Sequence, residues 1–496
     1  MALNIPILKA YLVLVAPSLG ILYLITFAVY RIWFHPLSSF PGPRLWAVCR
    51  LPWHYRLVTG DLPRTLQNLH AQYGEVVRTA PDELSFISAS AQRDIHVHSR
   101  SKYFQKDKSI YPKRHPTIDG ILTASDEDHA RHRKVFNPAF SERALRGQEP
   151  IFKIYTDGLI ALLDKGKATL ENPDATNDFV KAFNWTTFDI VGHLTFGEPF
   201  GCLRDAAYHP WVSMIFDNIK SGSFIQAIKY YPVLSRLYAL LIPKSLLKKR
   251  ADHEAFTHTK VSQRMEKDSE MPDFFSYIEN KGTLSRLEID LDCGTILIAG
   301  SETTATTMSG VVYYLCRTPR AMQRLQDEVR SSFEREDDIT SLEVGKLSYL
   351  TACIEEGLRM YPSIPTGLAR RLEGAEGLTV SGYFVPLGTV VSVAQYSAYR
   401  SPTNFVNPND YCPERWVGAP EFEHDCREVV QSFGLGARNC IGQAMAYLEM
   451  RLILARLIFR FDLELTNGAD FSPEKQKIHF LWSKPPLYIR VSDRVN

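Results

Sequence analysis

Cysteine is scarce and scattered. Its eight residues, at 49, 202, 293, 316, 353, 412, 426 and 440, include no CxxC pair, which sets aside the common zinc and iron–sulfur patterns, and their spacing is no disulfide framework. Reduced thiols in a cytosol-facing domain fit best. Neither sign of charge is in excess: 57 Lys and Arg stand against 55 Asp and Glu, without a long block of like charge, so nothing asks for nucleic acid as a partner. Internal repeats and low-complexity tracts are missing, as is a Gly/Pro-rich linker between two halves. No dinucleotide or flavin fingerprint occurs. What remains, 45% hydrophobic and 23% charged residues, is the composition of a globular protein.

A long uncharged apolar run, Ala10 to Tyr30, lies between Lys9 and Arg31. That is about the length of a membrane-spanning helix. A cleaved signal peptide would have a shorter apolar core and a small-residue cleavage site. Here Arg31, Trp33 and His35 follow, as in an interfacial anchor. Arg31, Arg44 and Arg50 on the far side favour a cytosolic body. The prolines of His35-Pro-Leu-Ser-Ser-Phe-Pro-Gly-Pro43 forbid helix and central strand, so this stretch reads as a stiff hinge. The expected division is an anchor over 1–31, a hinge over 32–46 and a catalytic body over 47–496.

Four later stretches carry chemistry. In Phe433-Gly-Leu-Gly-Ala-Arg-Asn-Cys-Ile-Gly442, a cysteine sits in a glycine-rich turn and opens an apolar helix running to about Phe459. Arg438 and unpaired N–H groups at a helix start favour a thiolate, the metal-binding form; taken alone, the residue reads equally as a buried free Cys. Arg286 to Cys316 reads as one central helix, apolar on more than one side. Its middle, Ala299-Gly-Ser-Glu-Thr-Thr304, holds residues costly in a buried helix, and such violations mark functional sites. A threonine bonding to its i−4 carbonyl is the structural alternative. Glu356-Gly-Leu-Arg359 pairs opposite charges at i and i+3, as many surface helices do. His129-Ala-Arg-His-Arg133 places His129 and Arg133 on one helical face, which standing alone is a solvated basic face.

Together and in this order, these stretches resemble the cytochrome P-450 family. The 433–442 string resembles the family's haem-binding loop, and 299–304 its oxygen-activation motif. Glu356 and Arg359, with Arg415 of Pro413-Glu-Arg-Trp416, resemble its charged triad. Gly367-Leu-Ala-Arg370 resembles a strand whose Arg meets a haem propionate, with Arg371 as a competitor. His129 stands where the family has Trp. His35-Pro-Leu and the helix ending Thr-Phe-Gly197 resemble fungal secondary-metabolism members, among them trichothecene-pathway hydroxylases.

The resemblance implies a mainly α fold with a small β-rich part toward the N-terminus. It implies haem as cofactor, Cys440 as iron ligand, and His129, Arg133, Arg370, Phe433 and Arg438 around the haem. Thr303 would orient a water and Glu302 would pass protons, with Gly300 leaving room above the iron. The expected reaction is insertion of one atom of O2 into a lipophilic small molecule, a terpenoid or polyketide. Electrons would come from NADPH through a reductase at the endoplasmic reticulum membrane. A haem-thiolate isomerase or dehydratase, or a non-enzymatic haem- or ligand-binding membrane protein, stands as the alternative.

Overall fold

The computed structural model describes residues 5–97, 102–108, 111, 115, 117–241, 244–267, 271–278, 282–374 and 376–494. Helices dominate, and the central one is Arg286–Arg317. Its start is set by a reciprocal cap: Ser285 Oγ accepts from the Glu288 N–H, and the Glu288 carboxylate accepts from the Ser285 N–H. Its end falls just before Pro319, which cannot continue the ladder. Nearly every side chain from Ser301 to Leu315 is buried, which is why this helix carries no polar face.

Phe179–Phe196 and Ser348–Met360 pack on it most closely, and Gln443–Arg460, Lys244–Glu266 and Pro319–Ser332 also touch it. The contacts are close because small residues stand at the crossings. A Cβ on Gly310 would lie 2.6 Å from Tyr361 Cβ, and one on Gly357 would overlap Val311. The same holds at Gly300, where a Cβ would meet Val191 Cγ2 at 3.2 Å and Met445 Cε at 3.6 Å. Gly300 therefore serves the packing of helices, where the sequence suggested open space above a cofactor.

Two strands flank Pro81-Asp82, Val76–Ala80 and Glu83–Phe86. The sheet they belong to is not confined to the N-terminal part, however. Glu83–Phe86 pairs in parallel with Val390–Val393, followed by Arg370–Leu372 and Phe104–Lys106 at the edge. The antiparallel register sets Lys106 opposite Arg370. Arg371 points to the other face, where it binds Asp82 at 3.2 Å and the Gly388 carbonyl at 2.7 Å. The alternation of a strand thus separates the two arginines that the sequence left in competition.

The N-terminal helix Ile5–Val29 runs into a π-helical turn, Tyr30–Phe34. Val15–Phe34 is long and apolar enough to cross a membrane by length and composition, and none of it is buried in the fold. The aromatic-rich region after residue 200 forms helices Pro210–Lys229, Pro232–Leu241 and Lys244–Glu266. Phe224, Val233, Leu234 and Leu237 are exposed there; the side chain of Phe216 lies outside the described residues. Residues 109, 110, 112–114 and 116 lie outside them too, and 117–125 hold neither helix nor strand.

Candidate active site

The loop before the last long helix is shaped by two left-handed glycines, Gly434 at φ 71° and Gly436 at φ 72°. A side chain at 436 would also strike the His96 carbonyl. The loop closes on itself through the Cys440 N–H, which donates to the Phe433 carbonyl at 2.7 Å. Phe433 packs its ring 5.1 Å from that of Tyr447. The helix begins at Gln443, so Cys440 precedes it and does not open it. Arg133 holds the neighbouring residue with both arms, donating to the Asn439 carbonyl at 2.9 Å and to Asn439 Oδ1 at 3.2 Å.

One expectation about this cysteine is corrected. Cys440 is exposed yet ringed by protein, and that desolvation pushes its thiol above the ordinary value. The Gly442 N–H and the Arg133 charge oppose the shift without overcoming it.

Beside the loop lies a cavity of about 530 Å³. His129, Arg133, Arg370 and Arg438 all line it, so the structure brings together four residues from three distant stretches. Lys102 and Lys134 line it too, against a single carboxylate, Asp126. Arg438 donates to Asp126 at 2.8 Å and to the Ala124 carbonyl at 2.7 Å. Even so, Arg438 Nη1 and Arg370 Nε are buried with no hydrogen-bond partner. Burial and the neighbouring Arg438, Lys106 and Arg133 push His129 down to about 3, so its ring is neutral. Burial, Arg438 and Arg370 bring Lys106 down to about 7. Cationic nitrogens buried without a partner are costly. The wall is built for a ligand that brings carboxylates.

On the central helix, Thr303 Oγ1 donates to the Ala299 carbonyl at 2.5 Å. Ser363 Oγ donates to the Thr303 carbonyl at 2.7 Å. Glu302 is buried and paired with Lys484. Behind the loop, the Glu356 carboxylate is filled on both oxygens: Arg359 Nη2 at 2.7 Å, Arg415 Nε at 3.0 Å and the Cys412 N–H at 2.9 Å on one, Arg359 Nε and Trp416 Nε1 at 2.9 Å on the other. Burial alone would raise this acid, but Arg359, Arg415 and the Cys412 N–H hold it below its ordinary value. Arg359, Arg415 and Glu356 have no exposed surface. This is a folded-in scaffold and no surface pair.

The family description Cytochrome P-450 matches residues 40–491 of this chain. The chain belongs to the cytochrome P-450 family. Its fungal relatives cover almost its whole length. It is 40% identical over 482 residues to the cytochrome P-450 monooxygenase astA of Talaromyces wortmannii, covering 96% of each chain. It is 39% identical to the averantin hydroxylase of Dothistroma septosporum, over 96% of this chain and 90% of that one. To the monooxygenase stcF of Emericella nidulans it is 39% identical, over 97% of this chain and 100% of the relative. The protein is therefore a cytochrome P-450 monooxygenase, which uses haem with an axial thiolate, O2, an organic substrate and a redox partner.

The cavity wall fits a haem, whose two propionates match the unsatisfied cations. Sequence reasoning missed Lys102 and Asp126 in this wall, Lys106 next to it opposite Arg370, and Lys484 beside the acid. Lys106 was within reach of it: strand pairing with Arg370 puts the two side chains together, once the pairing is known. For Lys484 no local signal exists, since its partner is 182 residues away.

Proposed function

We propose that this cytochrome P-450 hydroxylates or epoxidises a lipophilic terpenoid or polyketide of fungal secondary metabolism, taking electrons from NADPH through a reductase. The observation that carries the reading is the cationic wall with its orphaned Arg370 and Arg438 nitrogens, set against a loop whose Cys440 would be the iron ligand. The bound haem supplies oxygen activation, which its thiolate ligand promotes. The chain supplies the rest. Arg133, Arg370 and Arg438 would hold the propionates as charge-assisted donors, and neutral His129 would donate through its ring N–H. Arg133 also fixes Asn439 and, through it, the approach of Cys440. Phe433 shields the sulfur's side of the loop. Thr303 orients a water and Glu302 passes it protons. The name of the averantin hydroxylase supports hydroxylation; a trichothecene-type terpenoid belongs in the same screen.

The unburied Val15–Phe34 helix supports a single-pass anchor in the endoplasmic reticulum membrane, with 1–31 as anchor, 32–46 as hinge and 47–496 as cytosolic catalytic domain. The deciding experiment is a carbon monoxide difference spectrum of reduced protein, wild type beside Cys440→Ser. A thiolate-type band in wild type alone is the expected result. Folded, haem-supplied wild type without that band overturns the reading. Turnover of a screened substrate without NADPH or reductase would replace it with an isomerase or dehydratase.

A further inference from the structure

Glu302 and Glu356 are both buried acids, and they are partnered in opposite ways. Glu356 has both oxygens filled. Glu302 has one. Lys484 Nζ donates to Glu302 Oε1, and also to Thr306 Oγ1 at 2.6 Å. Thr306 Oγ1 in turn lies 3.4 Å from Oε1. Glu302 Oε2 is buried without any hydrogen-bond partner. An acid that only ties the fold together fills its lone pairs, since each empty buried one costs free energy. Glu302 is held by one oxygen and keeps the other free.

The cation is delivered by a fixed segment. Trp482 stacks on Tyr361 with centroids 4.1 Å apart, and its Nε1 donates to the Pro362 carbonyl at 2.7 Å. Ile478 and Trp482 bridge the turn between them. Two residues on, the Lys484 side chain is only 4% exposed, against 2% for Glu302. The other titratable groups that feel Glu302 are the phenols of Tyr208 and Tyr361, which burial, and then neighbouring charge, raise and keep neutral. Among the described residues, Lys484 is the cation paired with this acid.

We propose that Lys484 is a positioning residue for the site's acid. Its buried ammonium keeps Glu302 charged and clamped through Oε1, which leaves Oε2 as the oxygen that takes up and releases a proton. The task of Glu302 rests on the monooxygenase reading; the clamp itself can be tested without turnover. A carboxylate buried alone takes up a proton, because desolvation penalises its charged form. Removing the ammonium should therefore neutralise Glu302.

The test uses the full chain loaded with haem: wild type, Lys484→Met, Lys484→Gln, Lys484→Arg, and the double variant Lys484→Met with Glu302→Gln. Infrared spectra report protonated carboxyl groups, and the carbon monoxide band reports the intact haem site. Lys484→Met should gain a protonated-carboxyl band that the double variant loses and Lys484→Arg never shows. Lys484→Gln is read in the same way if the Met variant does not fold. A Met or Gln variant with a wild-type carbon monoxide band and no new band that depends on Glu302 overturns the proposal. Wild type without the carbon monoxide band fails the monooxygenase reading alone, and the infrared comparison still decides the clamp.

Discussion

At the scale of single residues, the energetics turn on buried charge. Glu356→Ala leaves Arg359 buried without its acid and Arg415 with Asp425 alone, and breaking such a pair costs about 3–5 kcal/mol. The expected outcome is a large drop in the denaturant midpoint and little haem incorporated, read by chemical unfolding and by the carbon monoxide band. His70 makes a pH prediction. It is buried, shares hydrogen bonds with the Gly74 carbonyl at 2.9 Å and Ser85 Oγ at 2.8 Å, and desolvation lowers it to about 4. An unfolded histidine titrates near about 6.5, so on acidification the unfolded chain binds the proton first. Stability is thus level above about pH 6.5 and declines toward about pH 4. Melting temperatures across that range should fall, and His70→Asn should flatten part of the slope. Much of this scale was legible. Arg133, Arg370 and Arg438 meet on one cavity wall, and each could be named from a short contiguous motif. The thiol's direction could not, because it depends on how much protein surrounds the sulfur. Lys484 could not either, because no nearby residue announces it.

At the scale of elements, the central helix was readable from its start at Arg286 to its end within one residue, since a cap and a proline bound it. The sheet that holds Val76–Ala80 and Glu83–Phe86 was not legible, because its middle strand, Val390–Val393, comes from far along the chain. The role of Gly300 was misjudged for a related reason: which neighbour a helical glycine faces is a property of packing. Gly310 offers the direct test of these crossings. Gly310→Ala forces a methyl against Tyr361, and overpacking of this kind costs roughly 1–3 kcal/mol. Equilibrium unfolding should show that loss, with Ser309→Ala on the same helix as a milder control.

At the scale of the whole molecule, the Val15–Phe34 helix adds nothing to the core, since none of it is buried. A chain lacking residues 1–29 should keep the melting temperature of the full protein while leaving the membrane fraction for the soluble one. An equal melting temperature with the truncated chain still in the membrane pellet would mean that the exposed apolar side chains at Phe224, Val233 and Leu234 also hold the bilayer. The pairing of Glu302 with Lys484 has a consequence of another kind. A ribosome makes the acid 182 residues before its base. Until that base emerges, the central helix carries a carboxylate with no counter-charge to accompany it inward. Translation that halts anywhere between the two therefore leaves a central helix that can bury this acid only in its protonated form.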